Sequence, residues 1–395
     1  MPLLTSFLLL ILTSRILGNL AQRLGQPDIV GEMFAGILLG PALLNLVHPN
    51  AALSGISELA VFLIILSAGL EMSYKDIIST FKGKGLLIAA LSFVIPFGSA
   101  LALGLLFGLD AMRITFLALT VSITALPVTI RILESFKILD SLIARYSIAG
   151  AIINDILALL VLGVILNLPK SRDFSSISTS IFLTVGKLGL LMAFIAIANM
   201  IFNRLEKKGI PLHKGPEKLV TIFGSDALLG LVVIFVLIFG SVSELLGFHF
   251  VIGAFFGSLL ISKDYFIASR YHELEKTISS VTKGFLAPLF FAYLGLEVTV
   301  GEIKSFPFLF AVLTVSVLSK IFSGWIGGKL AKMTDREAIG LGIILNGRGV
   351  MGLVVASIGL QNGFIGKGLF STLVIMGIFT TMITPLLFKK VWVKT

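Results

Sequence analysis

Apolar runs long enough to cross a bilayer follow one another along this chain from its first residues to its last. A spanning helix needs about 20 mostly apolar residues. Thirteen such runs lie at residues 2–22, 29–47, 53–71, 84–107, 112–133, 140–167, 176–203, 220–241, 245–262, 281–298, 306–331, 336–360 and 367–389. The longest polar stretch, residues 203–218, is too short for a soluble domain. Of all residues 56% are hydrophobic and 13% charged, with a mean hydropathy of +1.05. Soluble domains run about 45–50% and about 25%, so a water-soluble globular protein is excluded, and so is a disordered one. The chain has no cysteine, which excludes a disulfide scaffold, thiolate zinc sites and thiol catalysis. Residues 2–20 lack a basic leader and a small-residue cleavage site, so they are expected to stay as the first helix. The expectation is an all-α integral membrane protein: one transmembrane domain over residues 1–395 and no soluble regulatory domain.

The net charge of +10 comes from 31 Lys and Arg against 21 Asp and Glu. The basic residues sit in short loops between apolar runs, which makes them a topology signal and not a nucleic-acid surface. Counting residues at span edges with the adjoining loop, 22 follow odd-numbered spans or lie in the C-terminal tail. Only 5 lie in the other loops, and four (Arg15, Lys187, Lys320 and Arg348) fall inside spans. This bias predicts a multi-pass protein of the plasma (inner) membrane, with its N-terminus outside and its C-terminus in the cytoplasm.

A short internal repeat accompanies the spans. Gly69-Leu70-Glu71 ends the third and Gly295-Leu296-Glu297 ends the tenth. The second span holds Phe34-Ala35-Gly36 where the ninth holds Phe255-Phe256-Gly257. Partners lie seven helices apart, so the two halves face opposite sides of the membrane, the inverted repeat of secondary transporters. Each half also contains a helix interruption. The fifth span carries Thr124-Ala125-Leu126-Pro127 at its middle, where Pro127 breaks the backbone ladder. The twelfth carries Asn346-Gly347-Arg348-Gly349, in which Gly347 and Gly349 favour unwinding. Paired interruptions at corresponding positions point to a transport site.

Asp155 lies deep in the sixth span, where a carboxylate costs about 3 kcal/mol unless paired or hydrated, so function is its default reading. A carboxylate in a low-dielectric site takes up a proton more readily than one in water. It can then hold either H⁺ or a small cation. Hard monovalent cations want oxygen ligands, and Asp155, Asn154 and Thr124 supply them. Lys320, deep in the eleventh span, is expected to pair with Asp155 when the site is empty. Arg348 is expected to neutralise carbonyl ends of the broken helices. Lys187 and Arg15 lie nearer the interfaces and can snorkel. Glu71 and Glu297 read as helix-end or mouth charges. None of His48, His213, His249 and His272 is placed for a metal site.

The Thr-Ala-Leu-Pro break, the Asn154-Asp155 pair in the next span, Lys320, and Asn346-Gly347-Arg348-Gly349 in the span after it resemble the monovalent cation/proton antiporter superfamily. The resemblance is to the branch of Kef-type and sodium/proton antiporters, and it covers nearly the whole chain. It implies thirteen helices and a homodimer, with a dimer or gate part at about 1–71 and 220–298. A mobile core at about 84–167 and 306–389 would contain two crossed broken helices, with a linker helix at about 176–203. The core would move as an elevator. Asp155 takes the place of the family's ion-binding aspartate and Lys320 that of its basic partner. Electrogenic members carry two adjacent acids, and Asn154 replaces the first, which implies an electroneutral exchange. Lys320 belongs to the electrogenic pattern and points the other way. The nucleotide-binding domain of Kef-type systems is not found, so nucleotide control is not expected.

The expected function is therefore secondary active antiport of Na⁺, K⁺ or Li⁺ against H⁺, with lipid as surroundings, no cofactor and no enzymatic chemistry. The main alternative is a sodium-coupled organic-anion symporter of the bile-acid-transporter-like fold, with Arg348 facing the anion. An intramembrane protease would need a second buried acid or a His-Glu-x-x-His site, and none is apparent. A channel would need a repeated filter.

Overall fold

The structure, a computed structural model, describes residues 2–70, 83–138, 141–166, 174–207, 214–224, 226–303, 305–348 and 350–392. Among the described residues every regular element is helical. The helices are α1 (Leu3–Arg23), α2 (Asp28–Leu39), α3 (Ala51–Leu70), α4 (Lys84–Leu106), α5 (Ala111–Ser122) and α6 (Leu126–Ser135). They continue as α7 (Leu142–Leu166), α8 (Phe174–Lys207), α9 (Lys214–Phe223), α10 (Asp226–Leu245) and α11 (Phe250–Leu259). The last six are α12 (Ala268–Val281), α13 (Ala287–Leu296), α14 (Phe306–Leu330), α15 (Asp335–Ile344), α16 (Val350–Gln361) and α17 (Lys367–Trp392). Nine helical stretches among the described residues are long and apolar enough to cross a membrane, and three more apolar helices are shorter.

The chain forms two compact units. The first comprises Met1–Glu58, Ile77–Ala158 and Pro288–Thr395; the second comprises Leu59–Asp76 and Leu159–Ala287. In the first unit α14 packs along α4 and α15, α4 along α5, and α16 against α5 and α17. Its buried apolar side chains include Ile88, Leu133, Ile143, Leu341, Ile344 and Phe388. In the second unit α10 packs along α11, and α11 against α8.

Helix starts follow their polar residues. Asp110 caps α5 by accepting the Arg113 N–H at 3.0 Å. Thr334 and Glu337 form a reciprocal capping box at the start of α15. Such caps satisfy orphan N–H groups and contribute about 1 kcal/mol each.

Small residues set the closest crossings, as expected where helices associate by packing alone. A methyl group added to Gly36 of α2 would run into the Ala292 carbonyl of α13, and one on Gly295 into the Met33 carbonyl. In the second unit, a methyl on Gly69 of α3 would overlap Ser258 of α11. Of the glycines in the short repeat, Gly36, Gly69 and Gly295 thus sit where two helices touch, while Gly257 faces Phe239 of α10.

Several boundaries differ from the sequence reading. The second span is helical only to Leu39; the chain then turns, with Gly40 N–H bonded to Gly36 O and Val47 buried. The tenth span's helix begins 13 residues early, at Ala268, and passes through a π turn at Thr282–Leu286 into α13. Its first part is polar and mostly exposed, so hydropathy alone does not reveal it. The eighth span is preceded by the short helix α9, which ends at Gly224 with φ +87°. Most consequential is the fifth span. Its interruption falls at residues 123–125, and Pro127 is the second residue of α6. In a first helical turn the missing N–H of proline costs nothing, so Pro127 starts the second half-helix and does not itself break the span.

Candidate cation and proton site

The two interruptions meet in the first unit. α5 ends at Ser122 and α15 at Ile344; α6 and α16 resume at Leu126 and Val350. Between them Ala125 N–H donates to Gly347 O at 2.8 Å, and the Thr124 hydroxyl donates to Leu345 O at 2.8 Å. The backbone groups released by one break are thereby satisfied by the other, which a lipid-embedded chain requires. Gly347 acts here through its carbonyl. Gly349 lies outside the described residues, as does Glu71.

Two C-terminal helix ends, of α5 and α15, therefore lie at one crossing, and each carries partial negative charge. Two buried cations answer them. Lys320, 0% exposed in α14, donates to Ser122 O at 2.5 Å, Thr124 Oγ1 at 2.8 Å and Ser92 O at 2.9 Å. Arg348 donates from Nη1 to Thr120 O at 2.9 Å and from Nη2 to Ser316 O at 3.1 Å. The Thr381 hydroxyl in turn bonds the Arg348 carbonyl at 2.5 Å. Arg348 thus donates to a main-chain carbonyl in the last turn of α5. Both Nη groups face main-chain carbonyls and the Met376 sulfur, not a cavity suited to an organic anion.

The expected ion pair between Lys320 and Asp155 is not made. The three ammonium protons go to neutral oxygens of α4, α5 and the first break, while Asp155 Oδ1 is buried and accepts no hydrogen bond. The two groups remain within electrostatic reach of each other. A lysine with three short bonds to carbonyl and hydroxyl oxygens is held by geometry, and this leaves the carboxylate available. Asp155 is 6% exposed.

Asn154 is engaged otherwise than the sequence suggests. Its amide is oriented with Nδ2 donating to Ala89 O at 3.1 Å and Gly150 O at 3.3 Å, and Oδ1 accepting from the Ser92 hydroxyl at 3.1 Å. It joins α7 to α4, and its side chain also lies 3.4 Å from Thr124 Oγ1. Ser92, which serves both Asn154 and Lys320, escapes sequence reading because a serine in an apolar helix carries no signal of its own. Asn346 is fully buried in the second break. Glu32 is a second buried carboxylate, 4% exposed in α2, its Cγ against Gly18 of α1. The expectation that Asp155 is without another buried acid is thereby corrected. Glu32 packs on α1.

Residues 8–394 match the family described as sodium/hydrogen exchanger, transmembrane. The chain belongs to this family. Among curated relatives of the exchanger family, it is 26% identical over 385 residues to the probable Na(+)/H(+) antiporter GerT of Bacillus cereus. That alignment covers 97% of this chain and 98% of the relative. It is also 26% identical to the Na(+)/H(+)-K(+) antiporter GerN of the same organism, over 96% of this chain and 94% of that one. The fold is similar to the solved structure of the sodium proton antiporter MjNhaP1 from Methanocaldococcus jannaschii. The TM-score is 0.74 at 16% identity, covering 100% of this chain and 98% of the other.

Proposed function

We propose that this exchanger-family protein is a secondary active antiporter that trades a monovalent cation, Na⁺ or K⁺, for H⁺. One observation carries the reading: a buried carboxylate, Asp155, keeps an oxygen without a hydrogen bond while the Lys320 ammonium and both Nη groups of Arg348 are bonded to other groups. A group held in that way can take a proton or a cation but not both, and this competition is the minimal device for exchange. The relatives named as Na⁺/H⁺ and Na⁺/H⁺-K⁺ antiporters support it.

In this proposal Asp155 and the Thr124 oxygens ligate the cation, Asn154 positions the Asp155 helix, and Lys320 with Arg348 balances the broken-helix ends. One carboxylate exchanging one charge for one charge makes the cycle electroneutral. The protein crosses the plasma membrane thirteen times, N-terminus outside and C-terminus in the cytoplasm. It works as a homodimer through residues 1–71 and 220–298, while residues 84–167 and 306–389 move as an elevator, joined by the helix at 176–203. The matching glycine crossings Gly36–Gly295 and Gly69–Ser258 support the inverted repeat on which alternating access rests.

The test is cation-induced collapse of an imposed pH gradient in proteoliposomes, with NaCl, KCl and LiCl, and with valinomycin and K⁺ to set the voltage. Collapse by one cation at a voltage-independent rate, absent in Asp155→Asn, is the expected result. An inactive wild type, or a mutant as active as wild type, removes the proposal.

A further inference from the structure

Asn346 is the second residue after the end of α15 and is 0% exposed. Its main chain is fixed on every side. Its N–H donates to Ile343 O at 3.1 Å; the flanking carbonyls of Leu345 and Gly347 accept from Thr124 and Ala125 of the other break. Its side chain engages nothing, for both Oδ1 and Nδ2 are buried without a hydrogen-bond partner. An amide withdrawn from water and left unpaired at both ends is destabilising, and such a group in a native fold calls for an explanation. The contrast with Asn154 is direct: that amide is satisfied at both ends.

Asn346 is not isolated in this respect. Among the described residues, the other buried side-chain atoms without a partner include Asp155 Oδ1, Thr129 Oγ1, Ser319 Oγ and Arg348 Nε. These four belong to α6, α7, α14 or the second break, the elements that build the crossing, while Ser14 Oγ, Gln26 Oε1 and Thr299 Oγ1 lie elsewhere. Through its chain neighbour, Asn346 is linked to the helix that carries Asp155. Leu345 beside it bonds Thr124, Thr124 lies against Asn154, and Asn154 precedes Asp155. Thr124 is itself the second residue after the end of α5, so Asn346 is its counterpart on the opposite break.

We infer that Asn346 is a ligand of the transported cation, giving its Oδ1 to the ion alongside Asp155, and that it sets which alkali cation the site accepts. The inference rests on the antiporter reading and adds to it a second neutral oxygen donor. An amide oxygen is hard enough for Na⁺, K⁺ or Li⁺ and brings no charge, so the balance of one cation against one proton is preserved. When the carboxyl group holds a proton, the same Oδ1 accepts its hydrogen bond. One side chain then serves both cargo states.

The test uses the full chain in proteoliposomes with NaCl, KCl and LiCl, and in detergent with the same salts in thermal unfolding. Asn346→Ala is expected to raise the apparent KM for the preferred cation about tenfold and to change the order of preference. It should abolish the cation-induced rise in Tm while leaving the cation-free Tm close to wild type. Asn346→Asp adds a second carboxylate and is expected to make exchange sensitive to voltage. Should the alanine variant not yield folded protein, Asn346→Asp and Asn346→Ser carry the decision, since each retains an oxygen at a different place or charge. Unchanged KM, preference and voltage response in the folded variants overturn the inference, even where wild type is active and Asp155→Asn is dead. A wild type that exchanges none of the three cations overturns the antiporter reading itself, and this inference with it.

Discussion

Asp155 and Lys320 illustrate how a buried charge is read at two levels. Their depth in apolar spans singles both out for a functional reading, because an ion in the bilayer needs a partner or water. The natural assumption is that each is the other's partner, yet Lys320 is held by three neutral oxygens and Asp155 is left open. A first prediction concerns pH. If H⁺ and cation compete for Asp155, the apparent cation KM rises as pH falls, about tenfold per unit once the carboxyl group is mostly protonated. The maximal rate at saturating cation changes less. Initial rates at several pH values check this, and a KM independent of pH over the whole range contradicts it. A second prediction concerns Lys320→Met, which removes three bonds and leaves the Ser122 carbonyl and Thr124 hydroxyl without their donor. A loss of a few kcal/mol is expected, since a buried acceptor left without its donor costs about 1–3 kcal/mol. The measure is thermal unfolding of the purified variant, and a Tm equal to wild type would show that the lysine does not hold the crossing.

For the helices, composition fixed their number of apolar runs but not their ends. α2 stops at Leu39 and α12 begins in a charged segment, because caps and turns are local chemistry that averaged hydropathy does not resolve. The repeat was legible as three-residue echoes, and its meaning lies in the glycine crossings. Gly98 in α4 has no heavy atom within 4 Å of an added methyl, whereas Gly36 and Gly295 meet backbone. Gly98→Ala is therefore expected to leave Tm unchanged or raise it, by the ~0.5–1 kcal/mol that glycine costs inside a helix. Gly36→Ala and Gly295→Ala are expected to separate α2 from α13 and lower the yield of monodisperse protein. Size-exclusion profiles of the three variants decide the matter; equal profiles would mean that the crossing tolerates separation.

The whole molecule must face the membrane in one sense, and the proposed sense is the one the loop charges favour. Because the chain has no cysteine, any introduced thiol is unique. Asn362→Cys, after the twelfth span, is expected to react with a membrane-impermeant maleimide in intact cells. Lys332→Cys, after the eleventh, is expected to react only once the cells are opened. The reverse pattern would invert the topology, and equal labelling of both would mean that the region between them does not cross.

Apolar content and period by themselves determined that this is a helical membrane protein, and the depth of Asp155, Lys320 and Arg348 pointed to the region of the two helix breaks. Both follow from the cost of placing polar groups in hydrocarbon, which every residue bears whatever its neighbours. What only the tertiary structure decided is which polar groups satisfy one another. Lys320 turns to Ser92, Ser122 and Thr124; Asn154 turns to α4; the breaks bond through Ala125 and Gly347; Asn346 and Asp155 remain open. Hydrogen bonding depends on direction and distance between segments as much as 247 residues apart in the chain, and that information exists only once the helices have packed.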